Sequence, residues 1–542
     1  MRRLKARASE LCRRGIFRAA SSGEVLSGLG QVFDTRSIGD FSSTTPVKDV
    51  DVFISHSWSA DRWEKYLAMC YFLNRGLAAK AMTASVVLSE GFVLIFPTLS
   101  IHLVFLVLLD FPIAIFFLVF FFGQHLTCGI WGPRCWVDRL CVDQTDETTK
   151  SEGIAGLPTI VANSCKMLVL WDKSYCKRLW CNFELSIFVK SHGLQNLRLL
   201  PLWLTPWLLT TMLLSYVSAR LVAVFTESDP NFGVNDTSEF SGVVGSALAF
   251  GFKRFCEYAT LPYNLFCLPS IIVGVVSFQK KLDGHRNMLQ SMKSFNVRHA
   301  QCALDNDRSV IEAHVAELFD GLEDPVIAVP IEVEKSGEEE WQELIDSSLT
   351  FSDRLALRSA TGLATHEDCL EEFNKYVQGP MHDAVVEDLG DVIDIPYTVC
   401  LLAMFPWTLS FPPVAWAGRP SLHALGYQSD FEYFAVQFTE CLFSMLVYPA
   451  AYPLLLRCVR RLDGSINLGL LRAVAAFGCG LLTFTLVQIE NAFVSASLES
   501  FTITRHPIFL GSVMLATVAA MFQHYMLFGA GWPQKSSREV GT

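Results

Sequence analysis

Apolar positions recur along this chain in three rhythms, and each predicts a different kind of element. The longest are nearly charge-free runs of about 20 residues, the length an α-helix needs to cross a bilayer. They predict eight spans, at 91–109, 111–128, 201–225, 258–278, 397–416, 434–456, 466–488 and 508–528. The first two read as a tight hairpin within 86–128, turning at Asp110 and Pro112, with a re-entrant pair as the alternative. The second rhythm is short β-branched and apolar runs suited to a parallel sheet: 50–54, 135–137, 166–171 and the start of 197–204. The third is helical spacing. Trp63, Tyr66, Leu67, Cys70 and Tyr71 share one face behind Asp61, a candidate N-cap with Glu64 three residues on. A further helix is expected over 179–191, with Lys190 and His192 suiting its C-terminal dipole and Gly193 its cap.

These elements divide the chain into a basic N-terminal tail (1–44), an α/β module in two parts (45–82 and 130–204), a transmembrane hairpin (86–128), two further spans (201–278), an acidic region (279–396), four last spans (397–530) and a tail (531–542). Within the second part of the module, 141–153 reads as a polar loop and 154–162 as a short helix or turn interrupted by Pro158. The acidic region holds about 25 Asp and Glu against about 10 Lys and Arg, with helical stretches expected at 310–319 and 367–377 and a strand at 325–333.

Composition sharpens this picture. Only 18% of the 542 residues are charged and 51% are hydrophobic, with a mean hydropathy of +0.34; soluble domains are nearer a quarter charged. A net charge of −11 argues against a nucleic-acid partner. The sixteen cysteines show no C-x-x-C pair and no zinc-finger spacing, so neither a disulfide framework nor a metal site is expected. The first 22 residues carry seven Lys or Arg and one Glu, with no apolar core of the secretory type. They read as a basic tail near anionic lipid, or as an organelle transit peptide. Basic residues in 279–298 and 457–461 share a face with both termini in the eight-span topology, which makes that face cytosolic. The sequon Asn235-Asp236-Thr237 falls on the opposite face. The protein is therefore expected in the plasma membrane or an internal membrane, in contact with lipid and with both termini cytosolic.

The α/β module carries the candidate chemistry. Asp51-Val52-Phe53-Ile54-Ser55-His56-Ser57 resembles the first-strand motif of Toll/interleukin-1-receptor (TIR) domains, and Leu179-Trp180-Cys181-Asn182-Phe183-Glu184-Leu185 resembles their W-C-x-x-E-L helix. Trp136-Val137-Asp138-Arg139-Leu140-Cys141-Val142-Asp143-Gln144 is similar to a motif of heterokaryon-incompatibility (HET) domains. The resemblance covers about 110 soluble residues, interrupted by the hairpin, and the fifth strand and last helix of a full TIR domain have no clear counterpart before the third span. It implies a flavodoxin-like parallel sheet beside the helical bundle, and two kinds of function. One is self-association into homo-oligomers with recruitment of protein signalling partners. The other is hydrolysis of NAD, as substrate rather than resident cofactor, at its nicotinamide–ribose bond.

For hydrolysis, Glu184 is the candidate catalytic carboxylate. It lies one helical turn from Trp180, whose indole can stack on a cationic ring. Ser55, His56, Ser57, Trp58 and Asp138 lie at strand ends, where open α/β sheets bind ligands. Each also has a plain structural reading: Glu184 paired with Lys177 or Arg178, Trp180, Cys181 and Trp58 as packing, His56 hydrogen-bonded, Asp138 capping a turn. A third function class, a transporter or channel, rests on ionisable residues inside spans, namely Glu440, Glu490, His102 and Arg220, although the halves show no repeat.

Overall fold

Val50, Val52, Phe53 and Ile54 on one side of the hairpin, and Met167 to Leu170 on the other, have no polar face. A strand of that composition is stable only when covered on both faces. In the computed structural model both runs are central strands of one sheet and are almost completely buried. The structure describes residues 2–34, 36, 39–127, 129–193, 195–228, 244–260, 263–302, 305–319, 365–389, 395–423, 426–463 and 469–529. Two compact units emerge: Met1–Arg75 with Phe122–Leu204 and Asp283–Leu389, and Gly76–Phe121 with Thr205–Leu282 and Gly390–Thr542. The expected strand at 325–333, the sequon and the tail at 531–542 lie outside the described residues.

In the first unit a short antiparallel ribbon, β1 (Arg18–Ala19) with β2 (Thr45–Pro46), precedes the sheet. The sheet consists of β3 (Val50–His56), β4 (Cys135–Trp136), β5 (Ser164–Trp171) and β6 (Leu197–Pro201), all parallel, in the order β4-β3-β5-β6. Phe53 pairs with Met167 on one side and Trp136 on the other, and the Phe53 and Trp136 rings stack at 4.6 Å. The β4 edge is covered by Ala20, which exchanges two 2.8 Å backbone hydrogen bonds with Cys135. Counted along the chain the strands run 2-1-3-4, the doubly wound order in which the ligand crevice opens between strands 1 and 3.

Three expectations for this unit are corrected. The polar stretch 141–153 is not all loop. A helix starts at Glu147, because the Asp146 carboxylate caps the Thr148 and Thr149 N–H groups at 3.4 and 2.9 Å, and continues past Pro158 to Ala162. The N-terminal segment is not a solvated tail. Helix Arg2–Arg13 buries Ala8 and Leu11, Arg7 donates to the Ala155 carbonyl at 3.1 Å, and Arg14 pairs with Glu152. Leu11 approaches so closely that a Cβ on Gly156 would lie 3.2 Å from its methyl carbon. The ends of the acidic region belong to this unit as well: the Leu179 N–H donates to the Gln301 carbonyl at 2.9 Å, and the Lys190 ammonium lies 4.3 Å from the centre of the Phe319 ring. The expected helices there appear as Asp305–Leu318 and His366–Tyr376, the latter opened by a Thr365–Asp368 capping box.

Among the described residues seven helices are long and apolar enough to cross a membrane: Arg62–Ile95, Ile101–Leu126, Leu204–Val224, Tyr397–Gly418, Asp430–Leu462, Leu470–Thr504 and Pro507–Gly529. This is an integral membrane protein. The expected fourth span falls across helices Val244–Thr260 and Tyr263–Lys293, neither of which is among the seven. The hairpin turn does not lie at Asp110. The chain breaks at 96–100, where Pro97 disfavours helix for Phe96, and Val93 packs back on Val104 and Leu108. Asp110 instead ends a π-helical turn, Leu106–Asp110, inside a continuous helical segment. The extra residue of such a turn relieves the clash that Pro112 imposes on the preceding carbonyls. The Asp110 carboxylate accepts the Tyr216 hydroxyl at 2.9 Å and pairs with Arg220.

Candidate functional site

Strand β3 delivers Ser55 and His56 to its C-terminal end, and β5 ends nearby at Trp171, so that Asp172, Ser174 and Tyr175 line the adjoining loop. Helix Leu179–His192 follows and packs on β3. This places Glu184 against the strand end: the Ser55 hydroxyl donates to Glu184 Oε2 at 2.5 Å and meets the Tyr175 hydroxyl at 2.7 Å. Tyr175 in turn donates to the Cys181 carbonyl at 3.4 Å. Burial of the Glu184 carboxylate pushes its pKa up to about 8; the Ser55 hydrogen bond opposes the shift and the Asp138 charge adds to it. Glu184 is thus mostly protonated at neutral pH in this conformation.

Beside this pair lies a second one. Trp58 Nε1 donates to Asp138 Oδ2 at 3.0 Å, joining the loop after β3 to the segment after β4. The Arg139 guanidinium sits 4.6 Å from the indole centre and the Lys65 ammonium 5.5 Å. Burial raises the Asp138 pKa, against its hydrogen bonds from the Arg139 backbone and Trp58. His56 is 7% exposed and packs edge-on to Phe33 and Trp58. Its Nε2 has no hydrogen-bond partner among the described residues. Burial first, then the charges of Lys65 and Arg139, hold its pKa well below the ordinary value, so the imidazole is neutral. Ser57 belongs to a hydroxyl chain: it lies 2.8 Å from Ser59 and 2.9 Å from Ser174, which donates to Asp172 at 2.8 Å.

The comparisons with known proteins supply no relative. No family model, no curated protein and no solved structure matches this chain. The site must be read from its own geometry.

That geometry gathers Ser55 with Glu184, and His56 and Trp58 with Asp138. Trp180, on the same helix as Glu184, is half-buried and its ring meets Phe183 edge-on at 5.9 Å. Tyr175 and Lys65 were not among the sequence candidates. Tyr175 could have been found by extending the strand-end rule to the residues after Trp171. Lys65 sits between the apolar positions of its helix, and nothing local marks it as fully buried, yet it is 0% exposed and its Nζ has no hydrogen-bond partner among the described residues. Among those residues no three His, Cys, Asp or Glu side chains are placed to hold a metal ion.

A carboxyl held neutral beside a hydroxyl pair can serve as a structural tie or as a proton donor. To stabilise a cation it must first ionise, and a cationic ligand would itself favour that ionisation.

Proposed function

We propose that this protein is a membrane-anchored TIR-like signalling module that works by self-association and recruitment of protein partners. The observation that supports it is the Ser55–Glu184 contact. It joins the two motif-bearing elements, the first strand and the W-C-x-x-E-L helix, across a parallel sheet of order 2-1-3-4. The sheet shares its chain with apolar helices that confine it to a membrane, which raises the effective concentration of one module for another. The segment similar to HET domains contributes the edge strand and Asp138. Crosslinking in native membranes is expected to yield dimers or larger species, and finding monomers alone over a wide range of expression would overturn the reading.

A second reading, NAD hydrolysis, is favoured by the position of Glu184 at the strand 1–strand 3 crevice. The bond broken joins nicotinamide to ribose. The ring nitrogen is cationic in NAD, so nicotinamide leaves with the bonding electrons as a neutral molecule and needs no acid. Glu184, ionised by the approach of that positive charge, would stabilise the ribosyl cation. Water would capture the cation and release one proton, giving ADP-ribose. The decisive comparison is nicotinamide release by wild type and Glu184→Gln on crowded vesicles. Release by wild type alone supports the enzyme; equal rates, or none from either, leave the interaction module.

A further inference from the structure

The helices of the second unit enclose a largely buried polar cluster. Arg254 is 4% exposed; its Nε donates to Glu499 Oε2 at 2.7 Å, a second guanidinium nitrogen bonds the other Glu499 oxygen, and Nη1 reaches Glu257 Oε2 at 2.7 Å. Gln488, Asn491, Ser495 and Glu499 recur every three or four residues and so share one face of helix Gly469–Thr504. Glu440 faces them from the neighbouring helix, with the Ser495 hydroxyl against its carboxyl. It stands ten positions after Asp430, about 15 Å along the helix.

Glu440 is 3% exposed and its Oε1 has no hydrogen-bond partner among the described residues. Among the described residues the buried guanidinium that acts on it electrostatically, Arg254, is already shared by Glu499 and Glu257. Among the described residues the other titratable groups around it are the Cys441 thiol and the phenols of Tyr258, Tyr427, Tyr433 and Tyr448. Of these, Tyr433 is engaged with the Ala415 carbonyl and Tyr448 with Gln488, both at 2.8 Å. An ionised Glu440 would therefore be an unpaired charge in a low-dielectric interior, the arrangement proteins avoid most strongly.

We propose that Glu440 is a proton-binding site inside the membrane bundle, and that release of its proton draws Arg254 away from Glu499. One buried guanidinium then alternates between two carboxylates, and the proton on Glu440 decides which holds it. The transfer is balanced: the proton passes from Glu440 to Glu499, which gives up the guanidinium to the carboxylate left behind, so neither buried carboxylate is left charged and unpaired. Intramembrane carboxyls of this kind mark proton relays. The inference is independent of the reading of the α/β module.

The test uses full-length protein in lipid vesicles treated with dicyclohexylcarbodiimide, which reacts with protonated carboxyls in apolar surroundings. The label on Glu440 is followed by peptide mass spectrometry. Labelling is expected at Glu440, declining as pH rises. In Glu499→Gln it should fall several-fold at the same pH, because the freed guanidinium favours ionised Glu440; thermal unfolding of that variant checks that it folds. No label on Glu440 at any pH, labelling that ignores pH, or unchanged labelling in folded Glu499→Gln would each overturn the proposal. So would loss of label on adding sodium at constant pH and ionic strength, which would make the site a metal-cation site.

Discussion

Glu184 shows how much a single side chain depends on its surroundings. On an exposed helix it would be an ordinary carboxylate; burial makes it hold its proton up to about pH 8, even though the Ser55 hydrogen bond pulls the other way. The consequence for stability has a definite sign. The reference pKa is 4.5 and the folded value is higher, so between pH 4.5 and about 8 the folded state binds the proton that the unfolded state has lost. Stability from this group is present at low pH and declines as pH rises through that window. Glu184→Gln keeps the hydrogen bond and cannot ionise, so its melting temperature should be less pH-dependent than wild type there, as measured by thermal unfolding of the detergent-solubilised protein. Identical pH profiles would mean that Glu184 is ionised in the folded protein. Trp58 offers a second test. Its indole N–H satisfies the half-buried Asp138 carboxylate at 3.0 Å, so Trp58→Phe should cost about 1 kcal/mol in unfolding free energy, read as a lower denaturation midpoint.

At the scale of elements, capping and proline chemistry decided the boundaries that hydrophobic pattern left open. The helix Glu147–Ala162 is polar in its first turns and has no apolar face there, so periodicity alone reads a loop; Asp146 starts it by satisfying two end N–H groups. Asp146→Ala should loosen the start of that helix, seen as faster hydrogen exchange in its first turns. Unchanged exchange would show that packing, not the cap, holds the start. The hairpin turn was misplaced for a related reason. Asp110 and Pro112 look like a turn in an unbroken apolar run, yet the π-helical turn absorbs Pro112 and Tyr216 and Arg220 engage Asp110. Pro97 breaks the helix instead. The sequence does not show in advance which of two prolines can be absorbed, because that depends on whether the freed backbone and side-chain groups find partners.

For the whole molecule, connectivity limits the topology. Phe122–Leu204 and Asp283–Leu389 belong to one compact unit, so they are expected on the same side of a membrane. Of the seven long apolar helices only Leu204–Val224 lies between them. A return crossing between them is expected, and the apolar first half of helix Tyr263–Lys293 is the segment we propose for it. Tags at the two ends of the chain are then expected on the same side in a protease-protection assay, and tags on opposite sides would sink this topology. The sequence by itself determined the membrane class, the central strands and the W-C-x-x-E-L helix, because long apolar runs, two-sided apolar strands and a Gly193 cap are each stable in only one local setting. Only the tertiary structure decided that Ser55 meets Glu184 and Trp58 meets Asp138, that the N-terminal helix packs rather than trails, and that Glu499 already holds Arg254 while Glu440 is buried. Those outcomes depend on residues far apart in the chain sharing one enclosed space. There desolvation and partner geometry set the energy, and no local pattern records either.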